Sequence, residues 1–241
     1  MIEDRSPSPT RRALARTLCL APLVLCGCLS PAPDRAAAPL PTPNQEPRPM
    51  TVRPDRRPEL PRSPVTLQDL DKLERTVLLT DDDKEALRMS LPVLEPQVDA
   101  ILDVWYGFVG SQPHLVHYFS DAKTGAPDAA YLAAVRVRFG QWILATARAE
   151  HDQAWLDLQH EIGLRHHSTK KNRTDGATSV PIIHFRYLPA LLYPVTATLK
   201  PFLAKGGHAP EEVERMHQAW IKSVLLQVIL WSHPYVRDGE F

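Results

Sequence analysis

Proline placement divides this chain before any other signal does. From residue 31 to residue 64 a proline stands at roughly every third or fourth position, with arginine, alanine and polar residues between and no apolar period. Proline fixes φ and removes a backbone donor, so such a run suits neither a helix interior nor a central strand. With so little to bury, it cannot offset the entropy of becoming ordered, and it reads as an extended, semi-rigid tether. The core must therefore come from the residues beyond the tether. At 241 residues and 44% apolar the chain has enough material for one.

Ahead of the tether, residues 1–30 read as an export signal, with charged residues up to Arg16 and then an apolar run from Thr17 to Leu25. That run is too short to span a bilayer permanently. Leu25-Cys26-Gly27-Cys28 resembles a bacterial lipobox, in which Cys28 would be acylated and become the first mature residue. Thr10-Arg11-Arg12 is a weak twin-arginine signal. All three cysteines, Cys19, Cys26 and Cys28, lie in this segment, so the body beyond has neither a disulfide framework nor a thiolate metal site. Twenty-eight basic residues balance twenty-eight acidic ones, which gives no reason to expect nucleic acid as a partner. The expected location is the bacterial cell envelope, lipid-anchored on the periplasmic side, or the cytoplasm if residues 1–30 are not a signal.

From Thr66 the signals are helical. Thr66 caps a segment with Leu67, Leu70 and Leu73 at helical spacing, and Thr80 followed by three aspartates is a second N-terminal signature. Val98, Ile101, Leu102, Trp105 and Val109 form an i, i+3, i+4 stripe. Asp128 caps a long helix marked by Tyr131, Val135, Phe139 and Trp142, and a further helix holds Trp155, Leu158, Ile162 and His166. After a polar loop over 168–179, Pro181 opens a long apolar helix carrying Phe185, Leu188, Leu192 and Leu199, which Pro189 and Pro194 should kink. Pro210 with two glutamates begins the last helix, which runs to about Ser232. No strand alternation interrupts this. The expectation is one all-α domain over 65–241.

Two adjacent histidines in EIGLRHHSTKKN (161–172) raise the question of which faces inward. At about 100° per residue, Leu158, Ile162 and His166 fall within roughly 60° of Trp155. His160 and His167 lie about 120–140° away. His166 thus continues the apolar stripe and needs a partner there, either a hydrogen-bond acceptor or a metal. His160-Glu161 looks like the start of a zincin motif, but Leu164 stands where the second histidine belongs.

Four long stretches, ILDVWYGFVGSQPHL (101–115), YLAAVRVRFGQWIL (131–144), DQAWLDLQHEIGLRHHSTKKN (152–172) and FRYLPALLYPVTATLKPFLAKGGHAPEEVERMHQAW (185–220), resemble the protoglobins, single-domain relatives of the globin domains in globin-coupled sensors. The resemblance implies a globin fold with an additional N-terminal helix and haem b (iron protoporphyrin IX) held through an axial histidine, which matches His166. No C-x-x-C-H occurs, so covalent haem attachment is not expected. Trp105, Tyr106 and Phe139 match the family's distal lining: Tyr106 as hydrogen-bond donor to bound oxygen, Trp105 as cover over the iron, Phe139 as wall. Leu191 stands where the family has an aromatic residue, which implies a less crowded pocket. The segment MTVRPDRRPELPRSPV (50–65) lacks the aromatic, glycine-containing stretch that helps enclose the haem in protoglobins, and Arg53, Arg56 and Arg57 show no spacing that would replace it.

The expected function is reversible binding of diatomic gases (O2, CO, NO) at a five-coordinate haem iron, with gas sensing as a role. An enzyme acting on NO, nitrite or peroxide is the alternative, although no distal histidine–arginine pair of the peroxidase kind can be assigned. A non-haem interaction module would require His166 to be structural. Leu191, Leu192, Leu225, Leu226 and Ile229 crowd different sides of the last two helices, and protoglobins pair through these helices, so a homodimer is expected.

Overall fold

The computed structural model describes residues 60–241; the signal-like segment with Cys28, most of the tether, and Arg53, Arg56 and Arg57 lie outside the described residues. The helices are α1 (Leu67–Thr76), α2 (Asp81–Leu94), α3 (Val98–Gly110), the single turn α4 (Pro113–Val116), α5 (Ala129–Arg148), α6 (Gln153–His166), α7 (Tyr187–Leu203) and α8 (Pro210–Trp231). Among the described residues β-structure is limited to two isolated bridges, Ser120 to Pro127 and Asp121 to Ser179. None of their helices is long and apolar enough to cross a membrane.

Local chemistry sets the helix starts. The Thr66 hydroxyl accepts from the Asp69 amide at 3.1 Å, and Thr80 and Asp83 form a reciprocal capping box. The Asp128 carboxylate accepts from Tyr131 N at 3.0 Å, and Pro210 opens α8. Each such cap contributes about 1 kcal/mol. One start differs from expectation: the seventh helix begins at Tyr187, not Pro181. The Ile183 amide donates to the His166 carbonyl at 2.9 Å, and the Ile183 carbonyl accepts from the Tyr235 hydroxyl at 2.8 Å. Backbone groups committed to other elements cannot also close a helical turn. Phe185 therefore lies outside α7. Pro194 lies within it, without an N–H to offer the Ala190 carbonyl.

The core gathers around α8, which packs against α2, α6 and α7. Trp220 is fully buried at its centre, its indole N–H donating to Ser90 Oγ at 3.0 Å. The extra helix α1 and Val65 cover a second face of α8: Val65 and Leu70 cluster with Trp155, Leu156, Leu226 and Leu230. Leu226 is thus spent inside the chain. Leu191, Leu192 and Ile229 are half-buried, and of the five residues behind the dimer expectation only Leu225 is exposed. At the end of the proline-rich stretch, Ser63 N donates to Asp157 on α6 at 2.8 Å.

Candidate functional site

Asp152 caps α6 by accepting from Trp155 N at 2.8 Å. The fully buried residues of α6 are Trp155, Leu156, Gln159 and Gly163, which share a face, and Glu161, which lies apart from them. The strip Leu158, Ile162 and His166 is only half-buried. Inwardness is therefore shared between two adjacent faces, and the apolar stripe that ends in His166 is the less covered one.

His166 Nδ1 lies 2.8 Å from the Ile162 carbonyl oxygen. A carbonyl can only accept, so Nδ1 carries the proton and Nε2 keeps its lone pair. Nε2 makes no hydrogen bond among the described residues. Burial pushes the imidazole pKa below its usual value, which keeps the ring neutral. A neutral imidazole with one nitrogen fixed by a backbone carbonyl and the other bare is the form in which histidine binds metals. The ring stacks on Trp231, centroids 5.6 Å apart and planes 13° from parallel. His167 is the extended residue that ends the helix, with its ring edge-on to Tyr235 at 5.0 Å. Of the adjacent pair, His166 holds the inner position.

The neighbouring Glu161 is buried, but its carboxylate accepts from Arg165 Nε at 2.7 Å and Lys170 Nζ at 2.6 Å, so it serves as the centre of an ion cluster. Among the described residues no group of three or more His, Cys, Asp or Glu is placed to hold a bare metal ion. A single neutral imidazole suits a metal whose remaining ligands arrive with it, as iron does in a porphyrin.

A second wall comes from α3, α5 and α7, where Trp105, Phe139, Trp142 and Val195 line a small cavity that takes in no residue of α6. Trp105 is buried, and Phe139 meets it edge-on at 5.6 Å. Phe139 lies 5.2 Å from Trp142, and Trp142 lies 6.0 Å from Trp231. Contiguous rings therefore run from Trp105 to His166. Leu191 packs with Tyr187, Val195 and the Trp105 cluster. Tyr106 is half-buried beneath the Arg136 guanidinium, 5.9 Å above its ring, and burial pushes its hydroxyl up to about 12, so it remains a neutral O–H donor. That hydroxyl bonds to nothing among the described residues. α5 and α6, consecutive in the chain, pack on different partners: α5 on α2 and α3, α6 on α8.

Two contributors carry no motif in the sequence. Trp231 stands at the end of the last helix with nothing around it to suggest a role, and Gln159 reads as a polar gap in the apolar stripe, although it falls about 40° from Trp155 on the helix. Lys171, within what reads as a solvated loop, is buried. Its ammonium donates to Tyr118 O at 3.0 Å, Ser179 Oγ at 3.2 Å and Asn172 Oδ1 at 3.3 Å, and stands 5.2 Å from the centre of the Tyr131 ring.

Comparison with known proteins agrees with this fold. The globin domain of a Geobacter sulfurreducens globin-coupled sensor superposes with a TM-score of 0.53 at 16% identity, covering 69% of this chain and 97% of that one, a likeness of fold. No curated protein matches the chain. The sequence pattern of the family described as Protoglobin matches residues 66–241, and the chain belongs to that family.

Proposed function

We propose that this protein binds haem b through His166 and reversibly holds a diatomic gas, O2, CO or NO, on the face opposite that ligand. The observation that carries the reading is the state of His166: neutral, with Nδ1 committed to the Ile162 carbonyl and Nε2 bare, at the end of a half-covered apolar strip. Haem iron, when bound, supplies the open coordination position for the gas. The chain's residues would supply the rest. Trp105, Phe139 and Leu191 keep water from the gas side, and Tyr106 offers a hydroxyl proton to a bound oxygen without ionising. With leucine at 191 the wall is smaller than an aromatic residue would make it. A sensing role is the extension suggested by likeness to a globin-coupled sensor domain.

The full chain, purified and supplied with haemin, is expected to give a five-coordinate ferrous spectrum that changes on adding carbon monoxide. Failure to take up haemin stoichiometrically, or a ferrous form indifferent to carbon monoxide, would reject the reading.

We further propose that the protein pairs with a second copy through α7 and α8, where Tyr193 and Leu225 remain exposed, and that acylated Cys28 and the proline-rich tether hold it to a bacterial envelope membrane on the periplasmic side. Sedimentation at micromolar concentration tests the first, with a monomer as the contrary result. Mass analysis of the mature N-terminus tests the second, with an unprocessed, unlipidated chain as the contrary result.

A further inference from the structure

We infer that Trp231, pinned by Gln159, sets the ring plane of His166 and hence the direction of its Nε2 lone pair; the consequence for iron rests on the haem reading above. The hydrogen bond from Nδ1 to Ile162 O anchors one corner of the imidazole, but a single bond leaves the ring free to swing about that contact, and the second side-chain torsion of histidine is intrinsically broad. Stacking at 5.6 Å and 13° on Trp231 removes that freedom.

The indole is itself immobilised. Its Nε1–H donates to Gln159 Oε1 at 2.9 Å, with both side chains buried, so rotating the ring would leave a donor and an acceptor unpaired out of water. The helices carrying these groups meet without slack. A Cβ built on Gly163 would stand 3.1 Å from the Cα and 3.2 Å from the carbonyl oxygen of Trp231, so this turn of α6 touches α8 backbone to backbone. Gln159, Gly163 and His166, spaced i, i+4 and i+7, thus face one residue at the end of α8. The arrangement Gln159–Trp231–His166 makes Trp231 and Gln159 positioning residues for the ligand.

A second buried glutamine provides an internal control. Gln227 Oε1 accepts from Trp142 Nε1 at 2.6 Å in the same manner, but Trp142 does not stack on His166.

The experiment uses the full chain in two states. In the haem-free protein, the His166 ring protons are expected upfield in the NMR spectrum, under the shielding of the stacked indole. That shift should fall in Gln159→Met and persist in Gln227→Met. In the ferrous haem-loaded protein, the iron–histidine stretching band in resonance Raman spectra should move in Gln159→Met, in Trp231→Leu and also in Trp231→Phe, which keeps a ring against the imidazole but loses the hydrogen bond to Gln159. Adding Gln159→Met to the Trp231→Phe background should then change nothing, because the hydrogen bond it removes is already gone. Where Gln159→Met does not fold, Gln159→Glu, which keeps the acceptor and should retain the upfield shift, and Trp231→Phe, which loses the donor and should weaken it, carry the comparison. Ring protons unshifted in the wild type, or a band that Gln159→Met moves equally in the Trp231→Phe background, would overturn the proposal. A ring-proton shift that responds to Gln159→Met in a chain that takes up no haem would uphold the positioning and reject the haem reading instead.

Discussion

Along α6 and the end of α8, one wall of the site is held by directional bonds: His166 to Ile162, Trp231 to Gln159, Ile183 to the His166 carbonyl, and Glu161 between Arg165 and Lys170. The wall from α3, α5 and α7 is held mainly by ring and aliphatic contact, with one buried directional bond from Trp142 Nε1 to Gln227 Oε1, and its hydroxyl on Tyr106 has no partner among the described residues. A metal ligand must be aimed, which requires fixed hydrogen bonds. A gas needs only a dry, shaped surface with a donor at hand, which packing can provide. The division matches the roles proposed for the two walls, and it can be broken from either side.

The largest effect is expected on the packed wall. Trp105→Ala should cost about 3–5 kcal/mol in chemical denaturation, because a large buried ring leaves a cavity, while Trp105→Phe should cost distinctly less. A loss below about 1 kcal/mol for Trp105→Ala would mean that this wall is not held by packing.

Glycines on the two walls should answer oppositely. Gly163→Ala should cost about 1–3 kcal/mol, since its Cβ meets backbone atoms of Trp231 that cannot turn aside. Gly107→Ala on α3 should stabilise by about 0.5–1 kcal/mol, because nothing lies within 4 Å of the new Cβ and alanine favours the helix. Equal changes at the two positions in thermal melts would remove the contrast.

Lys171 tests the loop that joins the walls. Burial pushes its ammonium down to about 8, from 10.5 in the open chain. Between these values the unfolded chain binds the proton more strongly, so stability from this group rises with pH. The wild type should gain about 1–2 kcal/mol relative to Lys171→Met between pH 8 and 10. Parallel pH profiles for the two proteins would count against a buried charge here.

The smallest stability change is expected at Tyr106. Tyr106→Phe removes a hydroxyl without a protein partner and should alter stability by no more than about 0.5 kcal/mol. Oxygen should nevertheless leave the loaded protein about tenfold faster, as expected for loss of a hydrogen bond contributing about 1.4 kcal/mol. Stopped-flow release rates unchanged by the substitution would remove Tyr106 from the gas site.

Much of the fold is legible in the sequence because it is local. Thr66, Thr80, Asp128 and Pro210 mark helix starts through bonds made within one turn, and helical spacing places His166 inward of His167. The features that escape a sequence reading depend on distant partners. Pro181 has the chemistry of a helix start, yet the neighbouring Ile183 backbone is claimed by His166 and Tyr235. Gln159 looks like a break in an apolar stripe until Trp231, 72 positions away, supplies its donor. Lys171 looks solvated until Tyr118 and Ser179 close over it. The surplus of leucines on α8 points outward until α1 takes Leu226.

Ligation of the iron by His166 is tested by cavity complementation. His166→Gly in the full chain should lose the five-coordinate ferrous spectrum and its response to carbon monoxide, and free imidazole added to the solution should restore both. A variant whose haem spectrum matches the wild type without imidazole would place the ligand elsewhere and return His166 to the core.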